Sequence, residues 1–212
     1  MPLSSITLSE KSERSTKVKY SRVLKYVLRR DLVFYYLCAL ANMLSVAIIF
    51  SYVAVYMIEE FGLYRSTYAI IVFLLTTTFG VSSVFAGKFC DKSAMLSGLV
   101  GTVGILISAI LMIISGALVH LVLALILFEI LSAFAYNPLY VVLSKRLPEN
   151  VKGSGINLAD TMLNISFLVL PALEFIVESY GAKSALLLPV IISILAIVSS
   201  IHQQMRKDFD AH

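Results

Sequence analysis

Residues 87–92 read Gly-Lys-Phe-Cys-Asp-Lys, and an apolar run of the length needed to cross a bilayer lies on each side of them. A charged hexapeptide between two such runs reads as a tight turn joining two membrane helices. Gly87 would permit close backbone approach or a positive φ. Asp91 would accept hydrogen bonds from neighbouring helix N-termini, and Lys88 and Lys92 would favour the cytoplasmic leaflet. Assigning that turn to one side of the membrane assigns every other loop.

Working outward, further apolar runs follow the same pattern. They cover about residues 32–58, 67–86, 95–117, 119–143, 154–177 and 183–201. Backbone amides cannot stay unpaired in hydrocarbon, and these runs are too long for the strands of a barrel, so each is expected to be a helix. The expected fold class is an all-α membrane protein with six transmembrane helices. Composition agrees: 59% of the 212 residues are hydrophobic, 14% are charged, and the mean hydropathy is +0.90. The exposed surface of a water-soluble domain is incompatible with such values. Between the third and fourth runs, Ser115, Gly116 and His120 are expected to form a very tight turn.

Six passes return the chain to its starting side. All of the 17 Lys and Arg except Arg65 and Lys183 fall in the N-terminal tail, the 87–94 and 144–152 loops, or the C-terminal end. By the positive-inside rule both termini are therefore cytoplasmic, in a multi-pass protein of the plasma membrane. The net charge of +4 is read as topology, and nucleic acid is not an expected partner. Residues 1–30 form a basic cytoplasmic tail whose part from Tyr20 to Arg30 suits a short interfacial helix, residues 31–201 the bundle, and residues 202–212 a second cytoplasmic tail. The first run follows a basic stretch as a signal peptide would, yet has no small-residue cleavage site, and it is expected to stay as a signal anchor. Cys38 and Cys90 lie in different settings and suggest neither a disulfide nor a metal cluster, so no metal and no cofactor are expected.

Three acids lie inside the runs, Glu129, Asp160 and Glu174, and no interior Lys or Arg is there to pair with them. A lone carboxylate in hydrocarbon is costly. Each is expected to meet a wet cavity, bond to polar neighbours, or hold a proton. Glu129 is near the middle of its run, and its helical face continues through Ser132, Tyr136 and Tyr140. That stripe suits proton exchange or recognition of a cationic or polar solute; the structural alternative is a protonated Glu locking two helices. Asp160 shares a side with Asn157, Thr161, Asn164 and Pro171 in a helix expected to open at Gly153 and Gly155, with Pro171 loosening it. Glu174 and Glu178 are expected at the exterior mouth. Tyr35, Asn42, Ser45, Tyr52 and Tyr56 form a further stripe, in which Asn42 and Ser45 are deep enough to line a cavity. Gly98, Gly101, Gly104 and Ser108 favour close helix packing, with Gly101 and Gly104 near one face. Phosphate loops, metalloprotease motifs and nucleophile elbows do not occur, so an enzyme is not expected.

Gly87, Phe89, Asp91 and Lys92 also carry a family resemblance. Their order resembles the Gly-x-Leu-x-Asp-Arg-x-Gly-Arg loop of the major facilitator superfamily, with Ala94 and Met95 in place of the second glycine and the last basic residue. Residues 143–164, LSKRLPENVKGSGINLADTMLN, resemble the loop and fifth-span opening in the carboxyl-terminal half of drug:proton antiporters. The resemblance covers roughly residues 20–205 and implies one six-helix bundle of a larger carrier, with the basic tail similar to a linker between halves. It implies secondary transport by alternating access, with proton-coupled export of small molecules or drugs. By residue match the resemblance implies a conformational latch at Gly87, Asp91 and Lys92; the substrate or proton site of such a carrier, read from depth and isolation of the polar residues themselves, would use Glu129, Asp160, Asn164, Asn42 and Tyr136. The implied partners are a small-molecule substrate, protons, the lipid bilayer, and a second six-helix half or a homodimer partner. The competing expectation is a non-transporting assembly or regulatory subunit.

Overall fold

The computed structural model describes residues 20–210, with side chains over residues 23–202. Among the described residues every element is helical. After a short helix, Tyr20–Val27, come five helices long and apolar enough to cross a membrane: Arg30–Phe61, Arg65–Ile114, Leu118–Arg146, Glu149–Tyr180 and Ala182–His202. The second is 50 residues long, far more than one crossing needs. Its helical dihedrals fail at Ser93, where φ is −156° and ψ is 94°.

Contacts on the fourth span show that the chain reverses there. The Asn137 side chain donates to the Ser83 carbonyl, while a Cβ on Gly101 would lie 2.1 Å from the Ala135 nitrogen. Ser83 and Gly101 would be about 27 Å apart along a straight helix. They can meet the same turn of the fourth span only if residues 65–92 and 94–114 fold back as two limbs. The bundle therefore has six passes, and the limbs are its second and third spans.

The corner differs from the sequence expectation. Gly87 to Lys92 are helical, Gly87 has no positive φ, and open space surrounds its Cβ position. The reversal is at Ser93, whose Oγ accepts from the Leu96 amide at 3.3 Å, the bond of a helix N-cap. A serine that caps the next helix turns the chain without a glycine. The helix can run through Lys88, Asp91 and Lys92 because those side chains are exposed.

Other ends move for similar reasons. The fifth span opens at Glu149 behind Pro148, so Gly153 and Gly155 lie inside the helix and do not start it. Gly155 instead faces Leu147, whose Cδ1 would be 2.6 Å from an added Cβ. The third and fourth spans are joined by residues 115–117, and His120 falls in the first turn of the fourth. Lys183 fastens this end: its Nζ donates to the Ser115 carbonyl at 2.6 Å and stands 4.9 Å from the centre of the Tyr56 ring. At the opposite end, the last turn of the fourth span is held by acids from two others. Lys145 pairs with Asp91 at 2.8 Å, and Arg146 with Asp31.

The N-terminal segment divides in two. Residues 1–19 lie outside the described residues, whereas Tyr20–Val27 is a helix whose Val23 and Val27 are fully buried with Val151, Ala159 and Leu163 of the fifth span. Two apolar side chains four residues apart give it one greasy stripe, so it docks on the bundle. At the other end the sixth helix continues to Asp210, well past its apolar run.

Two spans are wound irregularly at mid-depth. Residues Ile49–Val53 of the first span form a π-helical turn, and Ile165–Val169 of the fifth form a 3-10 segment just before Pro171. The Tyr52 hydroxyl, inside the π turn, donates to the Leu170 carbonyl at 2.7 Å and ties the two irregular stretches together. Such turns are concentrated at functional sites.

Candidate functional site

Among the described residues Glu129 is the one charged side chain buried in the bundle, with 3% of its surface exposed. It lines a cavity of about 340 Å³ between the first, second and fourth spans, together with Asn42, Thr76 and Tyr136. Met43, Val46, Phe50 and Phe79 complete the wall. Cavities of this size hold small organic molecules or several waters. Among the described residues the Glu129 carboxyl makes no ion pair, and Asn42 Oδ1 is buried with no hydrogen-bond partner. A carboxyl held without a counter-charge beside a membrane-embedded cavity is a place where a proton, water or a polar solute can bind.

The fourth-span stripe is only partly as expected. Ser132 donates to the Glu129 main-chain carbonyl at 3.1 Å, which takes its hydroxyl away from the cavity. Ser45 of the first span likewise bonds the Ala41 carbonyl, leaving Asn42 as the cavity-lining member of its stripe. Sequence spacing places a hydroxyl on a helix face but does not show that it bonds back to its own helix.

Asp160 is half-buried and faces the tyrosines of the fourth span. Its Oδ1 accepts from Tyr140 at 2.7 Å and lies 3.4 Å from the Tyr136 hydroxyl, while Tyr140 and Tyr136 are 2.8 Å apart. Asn164 donates to Oδ2 at 3.4 Å. Tyr136 thus belongs to both groups, since it borders the Glu129 cavity and touches Asp160. The helix spacing of Tyr136 and Tyr140 was visible in the sequence, but their meeting with Asp160 was not, because nothing in the spacing sets the rotation of the fifth span.

The remaining stripe of the fifth span, Asn157, Thr161, Asn164 and Pro171, is exposed, as are Glu174 and Glu178. Of the loop residues, Asp91 is exposed and bound to Lys145, and Lys92 is exposed. Gly87 makes no close contact at its Cβ position. They lie at the basic end of the bundle, away from the cavity.

The described chain is thus a multi-pass helical bundle with a largely apolar cavity, walled by three spans and carrying a few polar groups. The family model described as Major Facilitator Superfamily matches residues 11–204, nearly the whole sequence, and the chain belongs to that family. Its members move small molecules across lipid bilayers and are not enzymes. No curated protein matches the sequence.

Proposed function

We propose that the chain is one six-span half of a secondary transporter of the drug:proton antiporter kind, exporting small molecules in exchange for protons. The observation that carries this reading is the cavity within the bundle that the buried carboxyl of Glu129 lines together with Asn42, Thr76 and Tyr136. A carboxyl poised beside an aromatic and apolar wall serves a proton in one state and a polar or cationic solute in the other.

The need for a second half rests on the fifth span. Asn157, Asp160, Thr161, Asn164 and Glu174 run along a membrane helix, and four of these five are exposed on the six-span bundle. Polar side chains at that depth require protein or water against them, which a second bundle facing the fifth and second spans supplies. The partner is a separately encoded or linked half, or a second copy of this chain. The basic end, with the docked helix and the Asp91 corner, is assigned to the cytoplasm by its Lys and Arg.

The test is flux of ethidium, a fluorescent cation, in inside-out membrane vesicles under an imposed pH gradient. Gradient-driven accumulation that falls in Glu129→Gln and Asp160→Asn supports the reading. Accumulation indifferent to both substitutions would return these carboxyls to a packing role. Crosslinking in the same membranes, with a band at twice the mass, identifies the homodimer arrangement.

A further inference from the structure

A second cavity, of about 280 Å³, lies at the basic end of the bundle between the first and fifth spans. Leu28 and Arg29 border it where the docked N-terminal helix gives way to the first span, Val33 and Leu40 line one side, and Met162 and Leu163 the other. Leu28 and Val33 are 57% and 44% exposed, so this edge of the groove is open, while Leu163 is buried. From Val33 to Leu40 the groove follows the first span for about 10 Å. Arg29 is the one charged residue of its lining. A cation at one end and hydrocarbon along the rest match an amphiphile with an anionic head and an acyl tail.

Charge is out of balance at that end. Arg29 donates to both oxygens of Asp31, at 3.0 and 3.2 Å, and Arg146 of the fourth span bonds the same carboxylate. Two guanidiniums thus share one acid, whereas Lys145 beside Arg146 has Asp91 to itself. Lys25 and Arg30 are exposed, and among the described residues neither has an ion-pair partner. Lys25, Arg29, Arg30 and Arg146 are therefore offset by Asp31 alone. Guanidinium groups bind phosphate oxygens as well as they bind carboxylates, so a phosphate is the anion that fits.

We propose that this groove holds an anionic phospholipid of the surrounding bilayer, with its phosphate on Arg29 and Arg30 and an acyl chain laid between the first and fifth spans. The lipid supplies the second anion that the arginines around Asp31 lack, and its chain covers Leu28, Val33 and Met162. It also fastens the docked helix, because Leu163 both lines the groove and packs in one cluster with Val23 and Val27. The site shares no lining residue with the Glu129 cavity and does not depend on the transport reading.

Charge selects this occupant over the alternatives. Residues 1–19, the segment that precedes the docked helix, carry four basic residues and two acidic ones, and would add to the positive excess. A zwitterionic lipid brings its own cation to the same place and gains little there. An anionic phospholipid meets both requirements at once, the phosphate at the arginines and the hydrocarbon in the groove.

The chain contains no tryptophan, so Val33→Trp places a single fluorophore at the open edge of the groove. The full chain carrying it is reconstituted in phosphatidylcholine vesicles doped with a lipid brominated on its acyl chains, which quenches tryptophan. Brominated phosphatidylglycerol is expected to quench at a mole fraction about tenfold or more below that needed with brominated phosphatidylcholine, the scale of preference that two basic contacts supply. The preference is expected to vanish when Arg29→Gln and Arg30→Gln are combined, and to be absent at Val198→Trp, a similarly exposed reference on the sixth span. Equal quenching by the two lipids at Val33→Trp, a preference that survives loss of both arginines, or the same preference at Val198→Trp overturns the site. So does absence of quenching by either lipid, which would show that protein covers the groove. If the double variant does not fold, Arg30→Gln alone decides, since it leaves the Arg29–Asp31 pair in place: an unchanged preference overturns the proposal and a weakened one supports it. No solute is transported in this measurement, so its outcome is separate from the ethidium flux that tests transport.

Discussion

Lys145 and Asp91 meet at 2.8 Å across the basic end of the bundle, joining the last turn of the fourth span to the last turn of the second. Both side chains are more than half exposed, so the pair contributes only about 0.2–1 kcal/mol and its role is orientation. Asp91→Asn should therefore leave thermal stability in detergent nearly unchanged. If the corner acts as a latch, the same substitution should alter which side of the cavity reacts with a thiol reagent, read from a cysteine at Thr76. Combining Asp91→Lys with Lys145→Asp should restore the original pattern.

At the cavity, Glu129→Gln keeps the shape and removes the charge. Gradient-driven ethidium flux should fall by about tenfold or more, a loss of about 1.4 kcal/mol or more. Glu129→Asp should retain part of it, since a shortened carboxyl still exchanges a proton. Equal flux in Glu129→Gln and the unmodified chain would refute the assignment.

Gly101 and Gly104 bring the third span against the backbone of the fourth. An added Cβ would lie 2.1 Å from the Ala135 nitrogen at Gly101 and 2.3 Å from Leu131 Cδ1 at Gly104. The clash at Gly101 is with main chain and cannot be relieved by a rotamer change. Gly101→Ala should cost about 1–3 kcal/mol, measured as a lowered midpoint of thermal unfolding. Gly80→Ala, where nothing lies within 4 Å, should be neutral or slightly stabilising.

At the far end, Lys183→Met removes the bond to Ser115 and the cation over Tyr56. A half-buried charged hydrogen bond contributes about 2 kcal/mol. Hydrogen exchange of the 115–117 turn should speed up accordingly, while exchange around Ser93 should not change.

Orientation can be tested with the native cysteines in place, because Cys38 and Cys90 are both buried. A membrane-impermeant maleimide should label Tyr64→Cys in intact cells and Lys92→Cys only after permeabilisation. The opposite pattern would invert the assignment of the basic end to the cytoplasm.

Much of the fold was legible because lipid imposes simple rules. Run length marked six helices, and glycines spaced three apart marked a close-packing face on the third span, though not its partner, the fourth. Depth put Glu129 near the middle of its run and Asn42 well inside the first, and helix spacing put Tyr136 on the Glu129 stripe; all three border one cavity. What escaped depended on bonds between spans or on local winding. A glycine and charged residues made 87–92 look like the turn, yet the serine beside them caps the next helix and makes the corner. The π turn at Ile49–Val53 shifts the face presented by Tyr52, which no fixed period anticipates. Ser45 and Ser132 bond to main-chain carbonyls of their own helices, and Tyr140 reaches Asp160, both outcomes of rotation that one-dimensional spacing does not contain.

The corner at Ser93 has a mechanical consequence. A single extended residue joins two membrane-crossing limbs, and Cys90, Ser97 and the Phe134 carbonyl are linked across it by contacts of 3.1 Å. With no slack between them, the limbs must travel as one stiff blade clamped to the fourth span. Any rocking that opens or shuts the cavity is thereby left to the first span, whose unevenly wound middle is tied to that of the fifth through Tyr52.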